Sequence, residues 1–143
     1  MDVGTMIAGR ASSQIISCTV DTPVREAIAL LAEKRIGALP VVENGRVAGI
    51  FSERDVIYRL TSEGEACLSS RIGDVMTSPA ITVERSTGIL DALALMTKRR
   101  IRHLPVVDGE AMCGFISIGD LVKARLDEIQ HEAEAMREYI QTA

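Results

Sequence analysis

Twice this chain runs from a glycine through two apolar residues into a serine and, three positions on, an aspartate. The segments are Gly49-Ile50-Phe51-Ser52-Glu53-Arg54-Asp55 and Gly114-Phe115-Ile116-Ser117-Ile118-Gly119-Asp120. The apolar residues suit the end of a strand, and the Ser-x-x-Asp spacing suits the first turn of a helix. There the serine oxygen can accept from an early helical N–H while the aspartate accepts from the serine N–H, forming a capping box. The same junction can do chemistry. A helix N-terminus offers unpaired N–H groups and a partial positive charge to a phosphate or another anion. The serine hydroxyl can join them, and an ionised aspartate can accept from two neighbouring hydroxyls, such as a ribose presents. Spacing alone leaves a plain cap and a ribonucleotide site both open.

The two junctions lie 65 residues apart, and the same offset repeats elsewhere without a gap. It sets Ala27-Ile28-Ala29-Leu30 over Ala92-Leu93-Ala94-Leu95, and Arg35 to Val42 over Arg100 to Val107, both of the latter ending in Leu-Pro-Val-Val. A duplicated unit too small to bury its own apolar face is expected to pack against its copy about a pseudo-two-fold axis, creating two related clefts. In each copy a short β segment, Gln14 to Cys18 or Ala80 to Val83, leads into a helix. The first helix is expected to start with Thr22 as N-cap and Pro23 at the first helical position. Val24, Ala27, Ile28 and Leu31 recur at helical spacing, as do Ile89, Ala92, Leu93 and Met96.

Leu39-Pro40-Val41-Val42 then faces Arg46 to Phe51 across Glu43-Asn44-Gly45, a strong hairpin signal, and Asp108-Gly109 stands at the same point in the second copy. Closing helices are expected near Ser52 and Ser117, the first running through Asp55 to Leu60. The fold class is therefore α+β: tandem β-α-β-β-α repeats over residues 1–65 and 66–125, with a helical extension over 126–143. Thr61 to Arg71 reads as a surface connection. In the extension, Val122, Leu126, Ile129, Ala133, Met136 and Ile140 follow a heptad. That stripe fits either a helix folded back over its own domain or a seam to a second subunit.

Composition narrows the function classes. At 47% apolar, the chain has enough material for one core shared by both halves. A net charge of −4, with only two Phe, two Tyr and no Trp, argues against a nucleic-acid polymer as partner. Cys18, Cys67 and Cys113 match no disulfide framework or metal-ligand spacing and read as core thiols in a reducing cytosol. Lacking an apolar run of bilayer length and a basic-then-apolar leader, the sequence reads as cytoplasmic, with no membrane partner. It carries no phosphate-binding lysine loop, no Gly-x-Gly-x-x-Gly, no His-Glu-x-x-His and no convincing nucleophile and base, so no enzyme is expected.

The repeated order of helix, Arg-Ile-x-x-Leu-Pro-Val-Val, hairpin and Gly-x-x-Ser-x-x-Asp resembles the CBS domain. Two in tandem resemble a Bateman module. The Ser-Glu-Arg-Asp ending of the first copy, His-Leu-Pro-Val-Val-Asp in the second and the closing helix are similar to small stand-alone bacterial CBS-pair proteins. The resemblance implies a non-catalytic regulatory sensor of adenosine nucleotides (AMP, ATP, NAD(H) or S-adenosylmethionine) that signals to an effector protein not identified by the sequence. It also implies a homodimer. Asp55 and Asp120 would hold ribose, with Ser52 and Ser117 beside them. One cleft would combine Ile50, Ser52 and Asp55 with Thr77, Ala80, Ile81, Arg102 and His103. The other would combine Phe115, Ser117 and Asp120 with Ile15, Ile16, Gly37 and Ala38. Arg54, Arg102 and His103 would meet phosphates in the first cleft, and the second would lack such charges. The reading from a different class is a structural scaffold with vestigial clefts.

Overall fold

The computed structural model describes residues 1–142 and shows a mixed α+β fold built on one six-stranded sheet. In chain order the main elements are α1 (Val3–Ile7), β1 (Cys18–Thr19), α2 (Val24–Lys34), β2 (Ala38–Glu43), β3 (Arg46–Ser52) and α3 (Glu53–Glu63). There follow α4 (Ile72–Val75), β4 (Val83–Glu84), α5 (Ile89–Arg99), β5 (His103–Asp108), β6 (Ala111–Ser117) and α6 (Ile118–Thr142). The strand order β1-β2-β3-β6-β5-β4 reads the same from either edge once the copies are exchanged. Each half pairs its first two strands parallel and its hairpin antiparallel, with a bulge at Val41/Val42 and at Val106/Val107. The halves meet where β3 and β6 pair at Arg46 and Ala111, beside an Arg46–Glu110 ion pair of 2.6 Å.

Local chemistry explains the turns. Asn44 and Gly45 both take positive φ, 53° and 78°, as a two-residue hairpin of matching twist requires. In the second copy the turn falls one residue later than expected, on Gly109 and Glu110, and Gly109 supplies the positive φ of 64°. Helices α2 and α5 both end on an arginine in the left-handed region, Arg35 and Arg100, whose N–H groups close onto the preceding turn. The apolar stripes of both helices turn inward. Val24, Ala27 and Leu31 are buried in one half, and Ile89, Ala92 and Met96 in the other.

Several elements depart from the sequence reading. The edge strands are short and start later than expected, because Gln14 closes a 3₁₀ turn and Ile15, Ile16, Ala80 and Ile81 lie outside the sheet. Thr22 does not cap α2. Its hydroxyl accepts from Thr19 N–H instead, the helix begins at Val24 after Pro23, and the Val24 N–H is satisfied by the Ser70 carbonyl. Residues 61–71 do form a surface connection, but an ordered one: α3 reaches Glu63, a 3₁₀ turn spans Gly64–Ser69, and Cys67 is buried.

The single shared core is also replaced by two clusters, one per half, and each is completed by a helix from the other half's leader. Helix α1 opens the first repeat, yet Val3 and Ile7 are buried among Val83, Ile89, Met96 and Ile116 of the second. Helix α4 opens the second repeat, yet Ile72 and Val75 are buried among Val24, Leu31, Val41 and Phe51 of the first. Main-chain bonds fix both: Gly4 N–H to Arg85 O and Gly73 N–H to Val20 O, each 2.8 Å. Helix α6 packs on its own domain only through its first turns, where Leu121 and Ala124 are buried. The fold-back reading fails beyond that point. Val122, Leu126, Ile129, Met136 and Ile140 are exposed, because α6 projects past the sheet.

Two buried glycines at equivalent strand positions have unequal surroundings. A Cβ on Gly49 would lie 2.6 Å from the Thr77 carbonyl, which is backbone, whereas one on Gly114 would lie 2.7 Å from the flexible end of Ile7. Gly49→Ala should therefore lower unfolding free energy by about 1–3 kcal/mol in urea titration. Gly114→Ala should stay within about 1 kcal/mol of the parent.

Candidate functional site

The exchange of α1 and α4 brings the segment after each leader across to the opposite hairpin, and a cleft forms at each crossing. In the first cleft, β3 delivers Ile50 and Ser52 to the start of α3. Thr77 bridges to Ile50 through paired main-chain bonds of 2.9 and 3.0 Å, so residues 77–81 form the facing wall. In the second, β6 delivers Phe115 and Ser117 to the start of α6, and residues 10–16 form the facing wall. The cavities measure about 290 and 340 Å³, near the lower end of the range that holds small organic ligands.

Both aspartates cap their helices, but each does so with one oxygen. Asp55 Oδ2 accepts from Ser52 N–H at 2.8 Å and Asp120 Oδ2 accepts from Ser117 N–H at 2.9 Å. Ser117 Oγ accepts in return from Asp120 N–H, completing a capping box. The second carboxylate oxygens are engaged within the clefts. Asp55 Oδ1 accepts from the Thr77 hydroxyl at 3.0 Å, and Asp120 Oδ1 lies 3.3 Å from Arg10 Nη2. Cap and ligand site are therefore compatible readings. The main-chain amides contribute less than expected, since the Glu53 and Ile118 N–H groups are bonded to the carbonyls of Gly37 and Arg102.

The first cleft gathers Ile50, Ser52, Arg54, Asp55, Thr77, Ala80, Ile81, Arg102 and His103, together with Glu53, Tyr58, Pro79 and Ile101. Arg54 is steadied at its rim by the Arg100 carbonyl, 3.0 Å from Nη1, at the negative end of α5. The second gathers Ile15, Ile16, Ala38, Phe115, Ser117 and Asp120, together with Arg10, Gln14, Ile36 and Cys113. Gly37 lines the first cleft rather than the second, because its carbonyl holds the start of α3 and its missing Cβ leaves room for Glu53 and His103. Nor does the second cleft lack a cation. Arg10 enters it from the start of the first repeat, where the 65-residue offset pairs it with the apolar Val75 and gives no signal; Tyr58 lies one helical turn after Asp55.

His103 and Ala38 occupy equivalent positions at the starts of β5 and β2, and both line both clefts. The His103 ring stacks on Phe115 at 5.5 Å and 11°, so the two form a partition between the cavities. Burial holds the imidazole below its usual 6.5, aided by Arg102 and opposed by Asp120 and Glu53. For Asp120, burial raises the pKa, but the Ser117 N–H and the charge and N–H of Arg10 outweigh it, leaving the carboxyl below 3.8.

A duplicated fold with an acidic helix cap at each of two pseudo-symmetric clefts defines a paired-repeat module. The CBS domain family model matches residues 6–62 and 72–127, and the chain belongs to that family. Among similar proteins, the mitochondrial CBS domain-containing protein CBSX3 of Arabidopsis thaliana is 40% identical over 129 residues, covering 87% of this chain and 63% of that one. A CBS-domain protein of Burkholderia ambifaria has a solved structure that is 38% identical with a TM-score of 0.80, over 89% of this chain and 95% of that one. CBSX2, solved in complex with AMP, is 28% identical with a TM-score of 0.75, over 88% of this chain and 96% of that one. Among the described residues no helix is long and apolar enough to cross a membrane.

Because the folded His103 takes up a proton less readily than the unfolded one, the unfolded state protonates first as pH falls through 6.5. Stability therefore declines toward acid. Thermal unfolding of His103→Gln should lose less of its midpoint between pH 7 and 5.5 than the parent does. NMR titration of the parent should place the His103 midpoint below 6.5.

Proposed function

We propose that this chain is a non-catalytic regulatory sensor that takes an adenosine nucleotide into its two clefts and passes the change to an effector protein. The observation that carries this reading is the division of labour within each aspartate. With Oδ2 holding the helix, Oδ1 of Asp55 and of Asp120 can accept from a ribose hydroxyl once Thr77 or Arg10 yields. The AMP held by CBSX2 supports the adenosine class. Adenine would lie against Ile50, Ala80 and Ile81 in one cleft and against Ile15, Ile16, Ala38 and Phe115 in the other. Phosphates would meet Arg54, Arg102 and His103 in the first, with Ser52 and Ser117 contributing hydroxyls. The family's range leaves AMP, ATP, NAD(H) and S-adenosylmethionine as the ligands to compare.

Signal transfer needs only differential affinity. A ligand touching both β3 and the 77–81 wall, or both β6 and the 10–16 wall, binds one arrangement of the halves better than another and shifts the population accordingly. The three free thiols suit a reducing compartment such as the cytoplasm.

Thermal unfolding with each nucleotide at a hundred times its dissociation constant should raise the midpoint by about 5–10 °C, the equivalent of about 2.7 kcal/mol. Asp55→Ala and Asp120→Ala should each remove part of the shift. A parent chain that no adenosine compound stabilises would leave the clefts vestigial and favour the scaffold reading.

The exposed stripe on α6 favours self-association: Leu126 and Ile140 are 60% and 65% exposed, at heptad spacing from Ile129 and Met136. We place a second copy of the chain against it, giving a homodimer. Light scattering at micromolar concentration should report a dimer for the parent and a monomer for Leu126→Glu/Ile129→Glu, with circular dichroism unchanged.

A further inference from the structure

The two clefts match in their caps and differ in what meets the second carboxylate oxygen. Thr77 brings Asp55 a neutral hydroxyl, whereas Arg10 brings Asp120 a guanidinium of opposite charge. Arg10 is not a loose surface residue at its backbone. Its N–H donates to the Ile7 carbonyl at 2.9 Å, and Ile7 is buried in the core beneath β6. From that fixed point the half-exposed side chain reaches into a cavity whose other ionisable groups are Asp120, His103 and Cys113.

We propose that Arg10 is the specificity-determining residue of the Asp120 cleft, selecting adenosine ribonucleotides that carry a phosphate over the uncharged nucleoside. The proposal rests on the reading of these clefts as adenosine sites. A ribose must take the oxygen that Arg10 holds. An uncharged nucleoside breaks the Arg10–Asp120 ion pair and offers the guanidinium nothing in exchange, so the attraction of that partly exposed pair is lost. A phosphate on the same ligand supplies the counter-charge, and the guanidinium turns from carboxylate to phosphate on a flexible arm whose planar donors fit either group. The selection comes from exchange of one partner for another. In the Asp55 cleft no such exchange operates, because displacing Thr77 frees only a hydroxyl that water can satisfy.

The test is calorimetric titration of AMP and of adenosine into the full-length chain and its Arg10→Gln and Arg10→Lys variants. Occupancy of this cleft is read separately by protection of Cys113 from a maleimide. Cys113 lines the cleft and is half-buried, whereas Cys18 and Cys67 are buried. Arg10→Gln should weaken AMP at this cleft about five- to tenfold, the loss of a charge-assisted contact at a partly exposed site. The same change should tighten adenosine, because Asp120 no longer has to be released. Arg10→Lys should fall between. A residue of purely structural importance would shift both ligands the same way, and that result, or no shift in either, overturns the proposal while AMP still protects Cys113 in the parent. Failure of both ligands to protect Cys113 in the parent overturns the nucleotide reading of this cleft and the role of Arg10 with it.

Discussion

The rest of the molecule depends on the exchange of short helices between its halves. Neither apolar cluster is complete within its own stretch of sequence: Val3 and Ile7 fill the second, Ile72 and Val75 the first. Helices of five and four residues have no stability of their own, so each forms only by docking on the opposite half. The glycines at Gly4 and Gly73 permit that docking at main-chain distance, where a Cβ would meet Arg85 or Val20 backbone at about 3 Å. The single β3–β6 bridge pair would be a weak joint by itself. With both leaders crossed over it, the halves are held by apolar burial, and the chain leaving each leader has to run past the mouth of a helix cap. The clefts are a geometric result of that crossing.

Much of this was legible because the sequence states it twice. The Ser-x-x-Asp junctions, the Asn44-Gly45 hairpin and the inward stripes of α2 and α5 follow from spacing that local physics fixes. The cleft partners from the opposite copy came from the family resemblance, and the structure brings almost all of them together. What was not legible shares one cause. Helices α1 and α4 are too short for a periodic signal, and their burial is decided by residues about 80 or 50 positions away in sequence. The expectation of one shared core failed for that reason, since apolar content does not say where a leader docks. Arg10 escaped notice because its place in the second cleft depends on the docking of α1. Residues 61–71 are the surface connection their polar composition suggests, but that composition did not show the burial of Cys67.

The caps show how a structural and a functional reading of one motif can both hold. A carboxylate has two oxygens, and the backbone geometry of a helix start needs one. In Asp55 and Asp120 the remaining oxygen faces a cavity bounded by the other half, so a residue in the first turn of the helix also borders the space between the halves. The Gly37 and Arg102 carbonyls occupy the leading helical amides, and the arginines beside the caps differ between the clefts, Arg54 and Arg102 in one and Arg10 in the other.

The positions of Ala38 and His103 bear on how such a molecule diverges after duplication. Most residues of a tandem repeat can drift independently, each altering only the site it faces. A residue on the pseudo-symmetry axis has no such freedom, because its side chain borders both cavities. Replacing alanine by histidine at one of these two places therefore rewrites two pockets with one codon, narrowing one while giving the other a titratable wall. A single substitution at either position therefore alters the two pockets together, whereas one at most other lining positions alters only its own.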